Sequence, residues 1–278
     1  MTILTFSSLL FLFSFLAGLL GSLTGLGGGI IVTPVLILLF HVDIHYAMGA
    51  SLISVIATSS GTATTYLREG YANIRLGVFL ETAAVMGAIA GALLIGFISP
   101  TLLEAVFAIV LLISAYLTMQ RQENIESYPH SHPLAVKLKL ESAYPLHEVM
   151  TPYTVQSAPL AWFIMGIAGL LSGLLGIGSG TLKVLAMDQV MRLPYKVSTT
   201  TSNFMIGITA TASAGVYLAN GYIQPQLTFP VMLGVLIGAY SGSTLLPHLH
   251  TRVLRIIFSF ALCFIALQML YKSYLGAL

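Results

Sequence analysis

The chain has 278 residues, of which 57% are apolar and only 20 are Asp, Glu, Lys or Arg. A soluble domain is about a quarter charged, so this composition excludes a water-soluble fold and predicts an all-α polytopic membrane protein surrounded by a lipid bilayer. The net charge of +2 is too small to indicate a nucleic-acid partner, and we expect no cofactor. The single cysteine, Cys263, excludes a disulfide framework.

Eight apolar runs follow one another along the chain. Six have the length of one membrane span, about 20 residues. The first and fifth are longer and are interrupted by the glycine-rich segments 25–29 and 176–180, where we predict broken helices with new half-helices from near Ile30 and Thr181. The runs lie at 3–40, 46–67, 77–97, 102–119, 159–190, 197–219, 228–247 and 254–275.

The second half of the chain repeats the first at an offset of 151 residues. Residues 17–29 match 168–180 at 8 of 13 positions, and the same ungapped offset pairs Ser51 with Ser202 and Thr58 with Thr209. Such a match predicts two copies of one structural unit. We therefore divide the chain into repeat one (1–119), a cytoplasmic polar linker (120–158) and repeat two (159–278), each repeat a glycine-broken helical hairpin plus three transmembrane helices.

The basic residues predict that the two repeats have opposite orientations. Arg68 and Arg75 lie in the loop after the second run, whereas the equivalent loop in repeat two has no basic residue. Conversely, Arg252 and Arg255 have no basic counterpart near 98–104. Because loops rich in Lys and Arg stay in the cytoplasm, we expect inverted repeats, with both termini outside and the linker inside.

The linker is the only long polar stretch, and we interpret it as a solvated connector. Its segment Pro129 to Pro133 contains two histidines, and His147 lies further on. Two histidines and a distant third make an incomplete ligand set for a metal ion. We predict no metal site there.

The glycine-rich segments are the predicted substrate site. Glycine permits a sharp turn and lets a ligand approach the backbone, and broken helices at matching positions of inverted repeats are typical of transporter binding sites. The free N–H groups of a half-helix attract anions. The alternative is that the glycines only allow close helix packing, which suits the pairs Gly87–Gly91 and Gly238–Gly242 better. The predicted substrate residues in the segments are Gly27, Gly28, Gly29, Gly178, Ser179 and Gly180.

A hydroxyl-rich segment follows each break. Ser51 in repeat one, and Thr201, Ser202 and Asn203 in repeat two, are the residues that we expect to line a polar path. The alternative is that such side chains bond to carbonyl groups of their own helix.

Lys183, three residues after the second break, is the predicted positive charge of the site. An ionisable residue at membrane depth indicates function, although Lys183 has the alternatives of pairing with Asp188 or reaching the membrane surface. Asp188 and Glu81 are the candidate coupling residues. The alternative for Asp188 is a pair with Arg192, and the alternative for Glu81 is a position near the membrane edge.

Residues 25–67 and 176–214, together with the central polar linker, resemble the TauE/SafE sulfite exporter family, also called TSUP. The resemblance covers nearly the whole chain and implies a bacterial inner-membrane secondary transporter of sulfite, sulfonates or related sulfur oxyanions. It also implies export, driven by the proton gradient. By position, the resemblance implies that the glycines of both breaks shape the substrate site. It also implies that the substrate path is lined by Ser51, Thr201, Ser202 and Asn203.

Two other functions remain as alternatives. Ser179 in a glycine-rich turn suggests an intramembrane hydrolase, but the histidines lie in predicted loops or at helix ends, so an adjacent base is missing. We therefore do not expect an enzyme. The linker histidines with His41, Asp43 and His45 suggest a metal-cation permease, but the chain has few carboxylates to line a cation path.

Overall fold

The computed structural model describes residues 3–24, 27–68, 70–120, 131–146, 149–245 and 251–276. In these ranges the chain forms eleven α-helices and one two-stranded antiparallel sheet. The helices are α1 (Ile3–Thr24), α2 (Gly29–Leu39), α3 (Ile44–Arg68), α4 (Ile74–Leu94), α5 (Pro100–Gln120), α6 (Pro133–Lys137), α7 (Ala158–Leu175), α8 (Gly180–Leu185), α9 (Tyr195–Ala219), α10 (Pro225–Leu245) and α11 (Thr251–Gly276). The strands are β1 (Ser142–Leu146) and β2 (Val149–Tyr153).

The first long apolar run is a helical hairpin. Phe40, just after α2, packs edge-on against Phe6 near the start of α1, with the ring centroids 5.3 Å apart. Gly28 approaches Gly18 in the second half of α1. The half-helix α2 therefore runs back along α1. Its first residue is Gly29, one residue before the predicted start, and Gly25 and Leu26 lie outside the described residues.

The second break has left-handed backbone at three positions. Gly176 and Gly178 have φ angles of 67° and 72°, and Ser179 has φ 45°. Glycine adopts this region without steric cost, whereas serine does so less readily. The helix α8 that follows has only six residues and continues into a π-helical turn at Ala186–Val190. Such turns often occur at functional sites.

The helix boundaries repeat at the offset seen in the sequence. Adding 151 to the first and last residues of α3 gives those of α9, and the same holds for α4 and α10. The repeats are also intertwined, because α1 packs against α10 and α4 packs against α7. The orientation of the repeats relative to a membrane stays a prediction.

Helices α3 and α9 pack antiparallel at the centre. The Ser59 hydroxyl, late in α3, donates to the Asn203 carbonyl, early in α9, at 2.6 Å. At the other end, the Tyr217 hydroxyl lies 3.9 Å from Met48 Sδ. Five described helices are long and apolar enough to cross a membrane, namely α1, α4, α5, α7 and α10. The polar helices α3 and α9 are not among them, because each carries a hydroxyl-rich segment that packs inside the bundle.

The spaced glycine pairs lie at close helix contacts. A methyl group at Gly87 would be 2.0 Å from the Gly166 carbonyl oxygen, and one at Gly91 would be 2.0 Å from that of Leu170. In the equivalent contact, a methyl group at Gly238 would be 2.1 Å from the Phe15 oxygen. These distances support the packing interpretation for the spaced pairs.

The linker contains more structure than the predicted solvated connector. It forms α6 and the sheet of β1 and β2, and Ala135, Leu140 and Val155 are buried against α4 and α7. The Asn73 amide joins it to α4 by donating to the Leu140 carbonyl and the Tyr153 hydroxyl, both at 2.8 Å. Burial raises the pKa of the Tyr153 phenol, which therefore stays protonated at neutral pH. His130 and His147 lie outside the described residues.

Candidate functional site

Both glycine breaks pack against the central helices α3 and α9. Gly178 packs against Val55 of α3, where an added methyl group would lie 2.8 Å from Cγ1. Gly27 packs against Ile206 of α9, with the corresponding distance 3.1 Å to Cδ1. Val55 and Ile206 are themselves equivalent positions at the offset of 151. The repeat therefore brings both breaks to one place in the core.

Hydroxyl groups of repeat one hold this centre together. Ser51 Oγ lies 2.9 Å from the Gly29 carbonyl oxygen and 2.7 Å from that of Gly176, so this hydroxyl contacts both breaks. Thr58 Oγ1 accepts a hydrogen bond of 3.1 Å from the Gly28 N–H. One of the N–H groups before α2 is therefore already bonded to protein.

In repeat two, fewer of the polar side chains near the break are hydrogen-bonded within the protein. The Ser202 hydroxyl donates to the Gly180 carbonyl at 3.3 Å, as Ser51 does to Gly29. In contrast, Ser179 Oγ, Thr199 Oγ1 and both amide atoms of Asn203 have no hydrogen-bond partner among the described residues. These side chains are buried, with exposures of 2%, 7% and 1%. Buried polar atoms without partners are uncommon and call for a ligand or water.

Thr201 lies apart from the breaks. Its hydroxyl accepts a hydrogen bond of 3.0 Å from the Asn73 N–H at the start of α4. Asn73 in turn contacts the linker. Thr201 therefore connects α9 to α4 and the linker, although the sequence pattern groups it with Ser202 and Asn203.

Lys183 makes an ion pair inside the helix bundle. Its Nζ lies 3.3 Å from Glu81 Oε2, and both side chains are buried. Thr209 Oγ1 bonds to both Glu81 and Lys183, and the Lys183 ammonium also lies 3.4 Å from the Met205 carbonyl oxygen. Glu81, Thr209 and Lys183 are called the charged cluster below.

The charged cluster corrects two interpretations of the sequence. Lys183 pairs with Glu81 of α4 and not with Asp188, and it does not reach the surface. Glu81 is buried within the bundle, where α4 packs on α9, and its depth in the membrane stays a prediction. The Lys183 N–H donates to the Ser179 carbonyl at 3.1 Å, so the cluster lies one helical turn beyond the break.

Asp188 is partly exposed in the π-helical turn, five residues after Lys183. It does not take part in the charged cluster. Its place in coupling stays a prediction, and the geometry favours Glu81.

The histidine group of repeat one, His41, Asp43 and His45, lies around the start of α3. His45 Nδ1 is 2.9 Å from Asp43 Oδ1, and its ring stacks on Tyr222 with centroids 5.0 Å apart. In the described ranges, no three His, Cys, Asp or Glu side chains are grouped in a way that could hold a metal ion.

Thr209 and Thr199 are not among the substrate residues predicted from the sequence. Thr209 was visible only as the repeat partner of Thr58, and its contact with Glu81 spans 128 residues. Thr199 lies among six consecutive polar residues, 198–203, and nothing local in the sequence separates it from its neighbours.

Comparisons with known proteins agree with this architecture. The family model described as Sulfite exporter TauE/SafE matches residues 10–269. The chain is 30% identical over 236 residues to the probable membrane transporter protein YdhB of Bacillus subtilis, covering 84% of this chain and 88% of that protein. It is 25% identical to YunE of the same organism, also named a probable membrane transporter protein, over 93% of this chain and 95% of the relative.

A probable membrane transporter protein of Methanocaldococcus jannaschii is 26% identical, with 94% of each chain covered. No solved structure matches the chain significantly. The apolar helices and these relatives show a multi-pass protein of the bacterial cell membrane, a transporter and not an enzyme. The chain belongs to the TauE/SafE sulfite exporter family.

Proposed function

We propose that this transporter exports a small sulfur oxyanion, such as sulfite or a sulfonate, and that the charged cluster links anion binding to protonation. The observation that carries the proposal is the buried Lys183–Glu81 ion pair one turn beyond the second break. A buried ion pair is costly to maintain, and ionisable residues in membrane segments mark ion pathways and proton relays.

The electrostatics of the cluster suggest how the link works. While Glu81 is ionised, it neutralises Lys183, and an incoming anion meets no net charge. When Glu81 takes up a proton as the anion binds, the anion replaces the carboxylate as the negative partner of Lys183. Proton and anion occupancy therefore rise together, so each anion moves with a proton and its own concentration gradient drives export. This coupling differs from the proton-driven export that the family resemblance implies.

The inverted arrangement that we predict supplies the second element of the mechanism. Two similar repeats that exchange conformations give alternating access around a fixed central site. The meeting of both breaks at Val55 and Ile206 supports a site at that centre.

The substrate class is tested by flux into proteoliposomes that contain the purified protein. Sulfite, thiosulfate, sulfoacetate, nitrate, chloride and a divalent metal ion are compared under an imposed pH gradient. We expect saturable movement of a sulfur oxyanion. Movement of the metal ion alone would support a metal-cation permease, and no movement of any sulfur oxyanion would contradict the proposal.

A further inference from the structure

We infer that Ser179, Thr199 and Asn203 of repeat two bind the ligand, and that they select a singly charged oxyanion carrying its own O–H donor. The inference rests on the proposed function and narrows its substrate class. It adds Thr199 to Ser179 and Asn203 as a specificity-determining residue.

The first step is the location of the unpartnered atoms. Ser179 lies between Gly178, which packs against Ile206, and Gly180, whose carbonyl accepts the Ser202 hydroxyl. Thr199, Asn203 and Ile206 lie three or four residues apart in α9 and therefore share one face of that helix. The three residues therefore lie at the second break and on the face of α9 that contains Ile206, which Gly178 contacts.

The second step is a comparison of the repeats. At the positions 151 residues earlier, Ser179, Thr199 and Asn203 are replaced by Gly28, Met48 and Leu52. Repeat one therefore presents no polar side chain at any of these three positions. Its hydroxyls at Ser51 and Thr58 already bond to the backbone of the breaks. At these three positions, only repeat two offers polar partners to a ligand.

The third step is the chemistry of the partners. The Asn203 side chain has an amide nitrogen that only donates hydrogen bonds and a carbonyl oxygen that only accepts them. Both atoms are buried and unpartnered. A fully deprotonated oxyanion can bond to the nitrogen but leaves the oxygen facing its own negative oxygens. An oxyanion with an O–H group satisfies both ends.

The fourth step concerns charge. Lys183 lies one helical turn after Ser179 and pairs with Glu81. In the proposed mechanism, protonation of Glu81 releases the lysine charge for the ligand. The cost of removing an ion from water rises with the square of its charge, so a double charge is penalised much more than a single one. One released lysine charge matches a singly charged ligand.

Three probes separate the effect of the ligand's charge from the effect of its O–H donor. Hydroxymethanesulfonate has one charge and an O–H group, methanesulfonate has one charge and no donor, and sulfate has two charges and no donor. Binding to the purified full-length protein in detergent is measured by isothermal titration calorimetry. We expect hydroxymethanesulfonate to bind about tenfold more tightly than methanesulfonate, since one buried polar atom gains a partner, and sulfate to bind most weakly. Equal binding of the two sulfonates, or tightest binding of sulfate, would overturn the inference.

Variants that carry the repeat-one residue test the side chains themselves. Asn203→Leu removes the amide acceptor and donors, so the ratio of the affinities for the two sulfonates should fall to about one. Ser179→Gly should weaken both by roughly tenfold, and glycine suits the φ of 45° there, so the fold is retained. Thr211→Val on the same helix is the control, since its exposed hydroxyl bonds only to the Gly207 carbonyl. Unchanged binding in both site variants would overturn the inference.

Flux distinguishes this inference from the proposed function. A protein that exports sulfite but binds both sulfonates equally contradicts the donor selection and leaves the transport proposal standing. A protein that prefers hydroxymethanesulfonate but moves no sulfur oxyanion supports the binding site and contradicts the transport proposal.

Discussion

Glu81 and Lys183 place opposite charges inside a helix bundle, at positions whose equivalents in the other repeat are apolar. The positions equivalent to Lys183 and Glu81 are Val32 and Met232, and both pack within the apolar core. The fold therefore accommodates apolar side chains at such positions. The presence of a buried ion pair at one of the two equivalent places, beside the break with unpartnered polar atoms, favours function over stability as its reason.

Removal of one partner of the ion pair should lower the stability of the protein more than removal of both. Lys183→Met leaves the Glu81 carboxyl buried without its cation, and we expect a loss of about 3–5 kcal/mol in stability. The double variant with Lys183→Val and Glu81→Met carries the apolar residues of the two equivalent positions, Val32 and Met232, and should recover most of that loss. Thermal unfolding in detergent measures both. A double variant less stable than Lys183→Met would show that the pair is structural.

Ser51 offers a second test at the scale of a side chain. Its hydroxyl contacts the Gly29 and Gly176 carbonyls, so Ser51→Ala removes a bond between the two breaks. We expect a loss of about 1–3 kcal/mol, because a buried acceptor is left without its donor. Ser60→Ala, at an exposed hydroxyl that bonds within its own helix, is the control. Equal unfolding temperatures for the two variants would contradict the role assigned to Ser51.

For the helices, the sequence pattern predicted where each one begins better than which of them contact one another. Glycine density predicted the start of both half-helices within one residue, because three or four glycines in five positions do not continue a helix. The π-helical turn after Leu185 has no such local signal. The Lys183–Glu81 contact also lacked one, since it joins residues 102 apart through packing of α4, α8 and α9. The linker pattern of prolines and charges concealed a small sheet that is held by contacts with Asn73.

The close contact of α4 and α7 depends on glycine. In Gly91→Ala the added methyl group would lie 2.0 Å from the Leu170 carbonyl oxygen, so the two helices must separate. We expect a destabilisation of about 1–3 kcal/mol, as for other overpacked cores. Gly215→Ala in α9 meets nothing within 4 Å and should leave stability unchanged or improved. Thermal unfolding of both proteins decides, and equal destabilisation would contradict the packing account.

For the whole molecule, the predicted inverted topology fixes which loops share a membrane face. In a Cys263→Ser background, Asn220→Cys should react with a membrane-impermeant maleimide in intact cells, because that loop is expected outside. Lys137→Cys in the linker should react only after the membrane is permeabilised. Both residues are exposed, so access within the protein does not limit labelling. Labelling of both positions from the same side would contradict the inverted orientation.

The joint movement of a proton with each anion is the central claim of this account. Proteoliposomes are loaded with hydroxymethanesulfonate, which does not titrate near neutral pH, and with a pH-sensitive dye, while the membrane potential is clamped at zero. The account predicts that efflux makes the vesicle interior more alkaline, and that the double variant of Lys183→Val with Glu81→Met abolishes this change. Efflux with no change of internal pH, or with acidification, would contradict it.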